Sequence, residues 1–199
     1  MKKLITMLML TLVTLSSQAT LLSVDLDNTD YQVGDVLSAD IVISDIELDA
    51  VGFDKLVASF NTNFLFDDSL LAFDNVTFGD KLDVDPDPFF ASFQDTNLAS
   101  SGNLFIQEVA QAFDFDLFFA QSGLSQFVLA TVNFNVLQSG VGSLNFANAT
   151  VGDEFGSSFI GVQAAGASFT VANSVAVPEP STFILVIAAM MILLRRRAL

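Results

Sequence analysis

The sequence predicts an all-β protein, an antiparallel β-sandwich of jelly-roll type with an N-terminal signal helix and a short C-terminal transmembrane helix. Three observations carry this reading. Apolar residues recur at every second position in several short runs, the period of a half-buried strand. Turn signals rich in Gly, Asp and Pro separate those runs, with no convincing helical stripe between them. Each end of the 199-residue chain holds a charge-free apolar stretch beside basic residues.

Taken in order, Met1-Lys2-Lys3 and the apolar run Leu4 to Leu15 form the basic and hydrophobic regions of a signal peptide. Ser17-Gln18-Ala19 supplies small residues where a signal peptidase reads, so cleavage is expected after Ala19. The apolar run is about a dozen residues, short of the ~20 that span a bilayer.

Residues 20–172 read as strands. From Val36 to Ser44, Leu37, Ala39, Ile41 and Ile43 fall on one face, with Ser38, Asp40 and Ser44 on the other. Leu56, Ala58 and Phe60 repeat the period, as do Phe113, Phe115, Leu117 and Phe119 against Asp114 and Asp116. Val109 to Phe119 is the most ambiguous of these runs. The clearest places Val128, Ala130, Val132, Phe134 and Val136 opposite Thr131, Asn133 and Asn135. Leu144 with Phe146, and Ala167 with Phe169 and Val171, supply two late strands. Turns fall at Val33-Gly34-Asp35, Phe78-Gly79-Asp80, Asp85-Pro86-Asp87-Pro88, Ser101-Gly102-Asn103, Gln138-Ser139-Gly140 and Val151-Gly152-Asp153. The 21 phenylalanines, beside one tyrosine and no tryptophan, read as core material, because sugar-binding surfaces favour rings with a polar edge.

Charge is segregated along the chain. Residues 20–177 hold 22 acids against Lys55 and Lys81, a net of −20. Such a field keeps a greasy domain soluble, repels nucleic acid and anionic lipid, and attracts divalent cations and basic partners. With no cysteine and no histidine, disulfides, thiolate sites, cysteine nucleophiles and every Ser-His-Asp triad are excluded. The inventory argues against an enzyme.

Residues 173–177 form a small-residue linker. In Val177-Pro178-Glu179-Pro180-Ser181 two prolines fix φ and remove donors, which excludes a helix or a central strand. Thr182 to Leu194 then runs without a charge to Arg195, Arg196 and Arg197. As a helix this run would be about 20 Å long against a ~30 Å hydrocarbon core, a marginal span better suited to a temporary anchor. The arginines should stay cytoplasmic and leave the acidic domain outside.

This tail resembles the PEP-CTERM sorting signal of Gram-negative bacteria over residues 178–199: the proline motif, the hydrophobic segment 182–194 and the basic residues 195–197. The resemblance implies export and transient anchoring in the inner membrane. It further implies processing near the motif by an exosortase-type protease, and a destination at the cell surface or in the extracellular matrix of a biofilm. The middle of the chain resembles a cohesin-like or carbohydrate-binding-module-like β-sandwich. The residues that carry this likeness are Tyr31-Gln32-Val33-Gly34-Asp35-Val36 with Ile41-Val42-Ile43, Leu65-Phe66-Asp67-Asp68-Ser69-Leu70-Leu71-Ala72-Phe73, and Val76-Thr77-Phe78-Gly79-Asp80. Phe127 to Phe134 and Val151-Gly152-Asp153 fit the same scheme. This second resemblance implies the fold and assigns no partner.

Two acidic clusters are candidate calcium ligands, calcium being the one cofactor the residues suggest. Asp83, Asp85 and Asp87 alternate as in the first half of a calcium loop. Pro88 and Gln94 stand where an EF-hand needs glycine and a bidentate acid, so it is not an EF-hand. Asp25, Asp27 and Asp30, with Asn28, form the second cluster. Asp67-Asp68 and Asp153-Glu154 are adjacent carboxylates, but neighbours in a strand point to opposite faces, unlike a glycosidase pair across a cleft. The expectation is an exported, noncatalytic surface or matrix protein whose sandwich binds polysaccharide or another exported protein. The alternative is a structural acidic component that retains cations and water, and a polysaccharide hydrolase ranks last.

Overall fold

The computed structural model describes residues 19–49 and 51–173, where two β-sheets face each other across one apolar core. The strands are β1 (Leu21–Leu26), β2 (Asp30–Gln32), β3 (Val36–Ser44), β4 (Ser59–Leu65), β5 (Leu71–Phe78), β6 (Phe93–Ser100), β7 (Asn103–Val109), β8 (Gln126–Val136), β9 (Gly140–Gly152), β10 (Gln163–Ala165) and β11 (Ala167–Ala172). A 3₁₀ turn covers Pro88–Phe90, and a single described α-helix, α1, covers Asp114–Gln121. One sheet has the order β10-β1-β3-β8-β5 and the other β2-β11-β9-β4-β7-β6. The signal segment, the proline motif and the basic tail lie outside the described residues, except Ala19. No described helix is long and apolar enough to cross a membrane.

The sandwich differs from an all-antiparallel one at a single side. β1 pairs with β10 in parallel, and β2 with β11 in parallel. Each of these partnerships continues one run of chain from the first sheet into the second. β1 leads to β2 through 27–29, and β10 leads to β11 through Gly166. Gly166 is required at that crossing, because a Cβ there would stand 2.3 Å from the Leu144 carbonyl oxygen. The short β2 and β10 thus close one side of the sandwich. On the opposite side the longer edges β5 and β6 flank a cleft of about 500 Å³ lined by Phe66, Phe73 and Leu98.

Alternation places the core as the sequence pattern requires. Leu37, Ala39, Ile41 and Ile43 of β3 are fully buried, and Phe60, Thr62 and Phe64 of β4 alternate inward. Leu56 and Ala58 precede β4 and are only half-buried, so the period read there belongs to the loop. In β8 the predicted single face is broken by a bulge. Ile41 pairs with Ala130 and Val42 with Val128, which leaves Leu129 as the extra residue. The inward face therefore passes from Phe127 and Leu129 to Ala130, Val132, Phe134 and Val136, and Val128 points the other way, half-buried. Phe134 touches Phe64, Phe66 and Phe73, its ring centroid 4.9 Å from that of Phe66. Gly142 leaves room for the Phe169 ring, which a Cβ would meet at 2.3 Å.

The largest departure from the sequence reading is Phe113 to Phe119. Its alternation predicts a strand, and the chain forms α1 instead. Asp114 and Asp116 lie in the first turn, where acids favour the positive end of the helix dipole. Leu117 and Gln121, four residues apart, share the buried face. Ser122 caps the other end by donating its N–H to the Phe118 carbonyl at 2.8 Å, and Gly123 follows at φ 79°. The buried Gln121 side chain decides the conformation. Its Oε1 accepts the Val57 N–H at 2.9 Å, and its Nε2 donates to the Val57 and Lys81 carbonyls at 2.8 and 3.0 Å.

Candidate functional site

Strand register sorts the connections to two ends. Ser44 opposes Gln126, Ser59 opposes both Val109 and Gly152, and Phe93 opposes Val109. The long connections 45–58, 79–92, 110–125 and 153–162 therefore emerge together. The short turns 33–35, 66–70, 101–102 and 137–139 lie at the other end, where Asn173 also leaves the sandwich.

The long-connection end carries exposed aromatic rings, which corrects the reading of phenylalanine as core alone. Eight phenylalanines are exposed among the described residues, and Phe53, Phe89, Phe113, Phe115, Phe118, Phe119 and Phe155 of these lie in the four long connections. On α1, Phe115, Phe118 and Phe119 sit at i, i+3 and i+4, one stripe opposite Leu117 and Gln121. Phe115 is 68% exposed and Phe119 65%. Their rings meet edge to face at 4.4 Å, and Phe118 reaches Phe119 at 5.8 Å. A second string runs from Phe89 to Phe90 at 5.4 Å and on to Phe113 at 5.3 Å. Beside the stripe, Phe118, Phe53, Ile46 and Leu56 line a cavity of about 120 Å³, roughly the size of one aliphatic side chain.

The connections that carry the rings are also rich in acids. The four long connections hold twelve of the acidic residues and both lysines of the described chain. Lys55 bonds Glu47 at 2.8 Å, and Lys81 meets Asp80 at 3.1 Å. The Lys55 hydrogen bond, helped by the Ile160 N–H, holds the Glu47 carboxyl below its ordinary range. Neither described lysine is left to neutralise the remaining acids.

Glu108, which sequence reasoning missed, lies under the 79–92 connection and is 0% exposed. Its Oε1 accepts from Ser92 Oγ at 2.6 Å and Gln94 Nε2 at 2.9 Å, while Oε2 is buried without a partner. Burial pushes its pKa up, and the nearby Asp83 charge adds to the rise. Its signal was a charged residue on the inward alternation of Leu104 and Ile106 in β7.

Four of the six candidate calcium ligands accept hydrogen bonds from nearby groups. Asp83 accepts the Ser92 N–H at 2.9 Å, Asp85 the Asp87 N–H at 2.8 Å, and Asp87 caps the 3₁₀ turn through the Phe89 N–H at 3.0 Å. Asp27 accepts from the buried Tyr31 hydroxyl at 2.7 Å and the Ser38 N–H at 3.0 Å. Burial, and then the Asp27 hydrogen bond, hold the Tyr31 phenol far above its usual range. Asp25 stands opposite Asp40 across β1 and β3, and Asp30 opens β2. Among the described residues no three acids gather as a group able to hold a metal ion. The adjacent pairs serve turns: Asp67 accepts from Ser69, Asp68 from Ser101, and Asp153 from Phe155 and Ser157.

One sheet face has a different chemistry. On the outer face of β4, β7, β6 and β9, Asn61, Asn63, Gln107, Asn97 and Asn148 stand around the half-buried Phe105, with exposed Phe93 at its margin.

No protein-family model matches the chain, and no curated protein sequence matches it. Solved structures do. A cohesin module from a family 33 glycoside hydrolase of Clostridium perfringens superposes with a TM-score of 0.59 at 16% identity, covering 79% of this chain and 99% of that one. The type II cohesin in a cohesin-X-dockerin complex from Acetivibrio cellulolyticus matches at 0.59 with 14% identity, over 77% and 99% of the two chains. A non-cellulosomal cohesin from the hyperthermophilic archaeon Archaeoglobus fulgidus matches at 0.54 with 16% identity, over 77% and 91%. The described chain has the cohesin-like β-sandwich fold.

Proposed function

We propose that this chain is an exported, noncatalytic binding module that holds another exported protein at the cell surface or in the extracellular matrix. The observation that carries the reading is the aromatic end: a stripe of exposed phenylalanine rings on a helix pinned by Gln121, the residue class that anchors protein interfaces. The fold agrees with it, since the Acetivibrio neighbour is a cohesin in complex with an X-dockerin partner. The chain lacks the cysteines and histidines that most catalytic constellations use. Sorting completes the proposal. Residues 1–19 direct export, Thr182 to Leu194 anchor the chain briefly in the inner membrane, and an exosortase-type protease acts near Val177 to Ser181.

Two experiments test it. Tagged chain recovered from exporting cells should retain a matrix protein that Phe115→Ser/Phe119→Ser fails to retain. If both forms recover the same proteins, or none, the protein-binding reading falls. Replacing Pro178-Glu179-Pro180 by alanines should leave the sandwich folded and stall it at the inner membrane, and unchanged release defeats the sorting part. The amide-rich face around Phe105 supports a second reading, polysaccharide binding. Retention of matrix polysaccharide that Asn61→Ala/Gln107→Ala abolishes is the result that favours it.

A further inference from the structure

The aromatic end has an unusual combination of chemistry and position. Phe115, Phe118 and Phe119 present apolar rings, and Asp114 and Asp116 stand on the same helix. Both described lysines are bound to acids, Lys55 to Glu47 and Lys81 to Asp80. Any partner that covers these rings meets a rim of negative charge, and an acidic partner is repelled. A second copy of this chain is acidic at the same surface, so end-to-end pairing sets like charge against like. The membrane is disfavoured by topology. The chain enters β1 at the ring end, where Leu21 opposes Ser44, but residues 1–19 are removed on export in the reading above, which leaves the C-terminal segment as the tie to the membrane. β11 ends at Ala172 at the short-turn end, so the described chain departs toward its C-terminus at the end opposite the rings. The thirteen-residue β9 separates the two ends by about 40 Å. The eight residues 174–181 reach at most about 29 Å, so the apolar run cannot begin at the rings.

Resting on the protein-binding reading above, we propose that the aromatic end takes a cationic amphipathic segment of an exported partner. The apolar face of that segment lies on Phe115, Phe118 and Phe119. One aliphatic side chain enters the cavity between Phe53 and Phe118. Its Lys or Arg residues meet Asp114, Asp116 and the acids of 79–92. Apolar contact holds the segment, and charge selects it and speeds its approach.

The test uses the full chain in zwitterionic nanodiscs and two labelled peptides of about 14 residues, four helical turns, with identical leucine faces. One carries lysines on its other face and the second carries glutamates. The lysine peptide should bind at least about tenfold more tightly, and Phe115→Ser/Phe119→Ser should weaken it about tenfold, as loss of an interface anchor does. Asp114→Asn/Asp116→Asn should weaken it about threefold and flatten its salt dependence. Because an acidic domain attracts any cation, the phenylalanine variant decides: equal affinity for wild type and variant overturns the proposal. Equal affinity for the two peptides does the same. Self-association lost in the phenylalanine variant would assign the surface to a second copy. Binding that appears only when residues 1–18 or 182–199 are removed would assign it to a terminal segment, and capture of anionic vesicles through the rings would assign it to lipid. Each of those three overturns it. Retention of a matrix protein through Phe115 and Phe119, with no preference for the lysine peptide, leaves the binding function standing and removes this inference alone. The reverse pattern removes the function and keeps the chemistry.

Discussion

At the short-turn end, Asp35 accepts the Gln32 N–H at 2.7 Å and Asp67 accepts the Ser69 N–H at 2.9 Å, so each turn is closed by its own carboxylate. Phe64, Phe66 and Phe134 toward that end are buried, and Phe73, opposite Phe134, is half-buried. At the long-connection end, carboxylates cap turns in the same way, at Asp49, Asp87 and Asp153. There, however, phenylalanines stand in solvent on a helix whose inner face is held by one glutamine. The same two residue types close a fold at one end and exceed what the fold requires at the other. That excess is what points to binding.

The sharpest way to break the comparison is to truncate one ring at each end. Phe134→Ala removes a fully buried ring from contact with three others and should cost ~3–5 kcal/mol in urea unfolding. Phe119→Ala should stay within ~0.5 kcal/mol, as surface substitutions do. Equal shifts in the two midpoints would erase the distinction between core and surface rings.

Next in size is Gln121→Ala. It strips partners from the Val57 N–H and from the Val57 and Lys81 carbonyls, and one unsatisfied buried group costs ~1–3 kcal/mol. The loss should be local. Hydrogen exchange at the Val57 amide should accelerate, while the Leu137 amide, bonded to the Leu70 carbonyl at the other end, keeps its protection. Uniform acceleration at both amides would mean that the two ends unfold as one unit.

Much of the sandwich was legible because its alternation is strict. Every second residue of β3 is buried, and turn residues mark nearly every strand end. Three features were not legible, each for a physical reason. The β8 bulge shifts the inward face by one residue, and no local residue type announces it. The parallel pairs come from strands that cross between sheets, a long-range event. In Phe113 to Phe119 the alternation of Phe with Asp imitated a strand, and the arbiter was Gln121, whose partners lie 64 and 40 positions away. The aromatic site itself was hidden by composition, because a phenylalanine count does not separate rings that pack from rings that wait for a partner.

A smaller effect depends on pH. Burial raises the folded-state pKa of Glu108, with the Asp83 charge acting in the same direction. A raised pKa means that its favourable contribution is complete below the unfolded value, ~4.3, and is lost as pH rises through the folded value. Glu108→Gln should therefore unfold at higher temperature than wild type at pH 7, with the gap narrowing toward pH 4. Glu47 opposes this trend. Its pKa is lowered chiefly by the Lys55 hydrogen bond, so its contribution is present above the unfolded value and lost as pH falls. A wild-type advantage at pH 7 over Glu108→Gln would mean that the buried carboxylate is stabilised by something other than Ser92 and Gln94.

The smallest expected effect on stability sharpens the comparison most. Phe115→Ser/Phe119→Ser removes two rings that are 68% and 65% exposed and whose edge-to-face contact at 4.4 Å is with each other. Serine and phenylalanine have similar helix propensities, so the exchange itself costs little at either site. Removing the rings adds little cost, since most of each ring's surface stays in water. The unfolding free energy should therefore change by less than ~1 kcal/mol, while affinity for the partner falls about tenfold. A loss of stability as large as that of Phe134→Ala would show that these rings support the fold after all. The difference between the two ends would then be one of packing, and the aromatic end would lose its claim to be a binding surface.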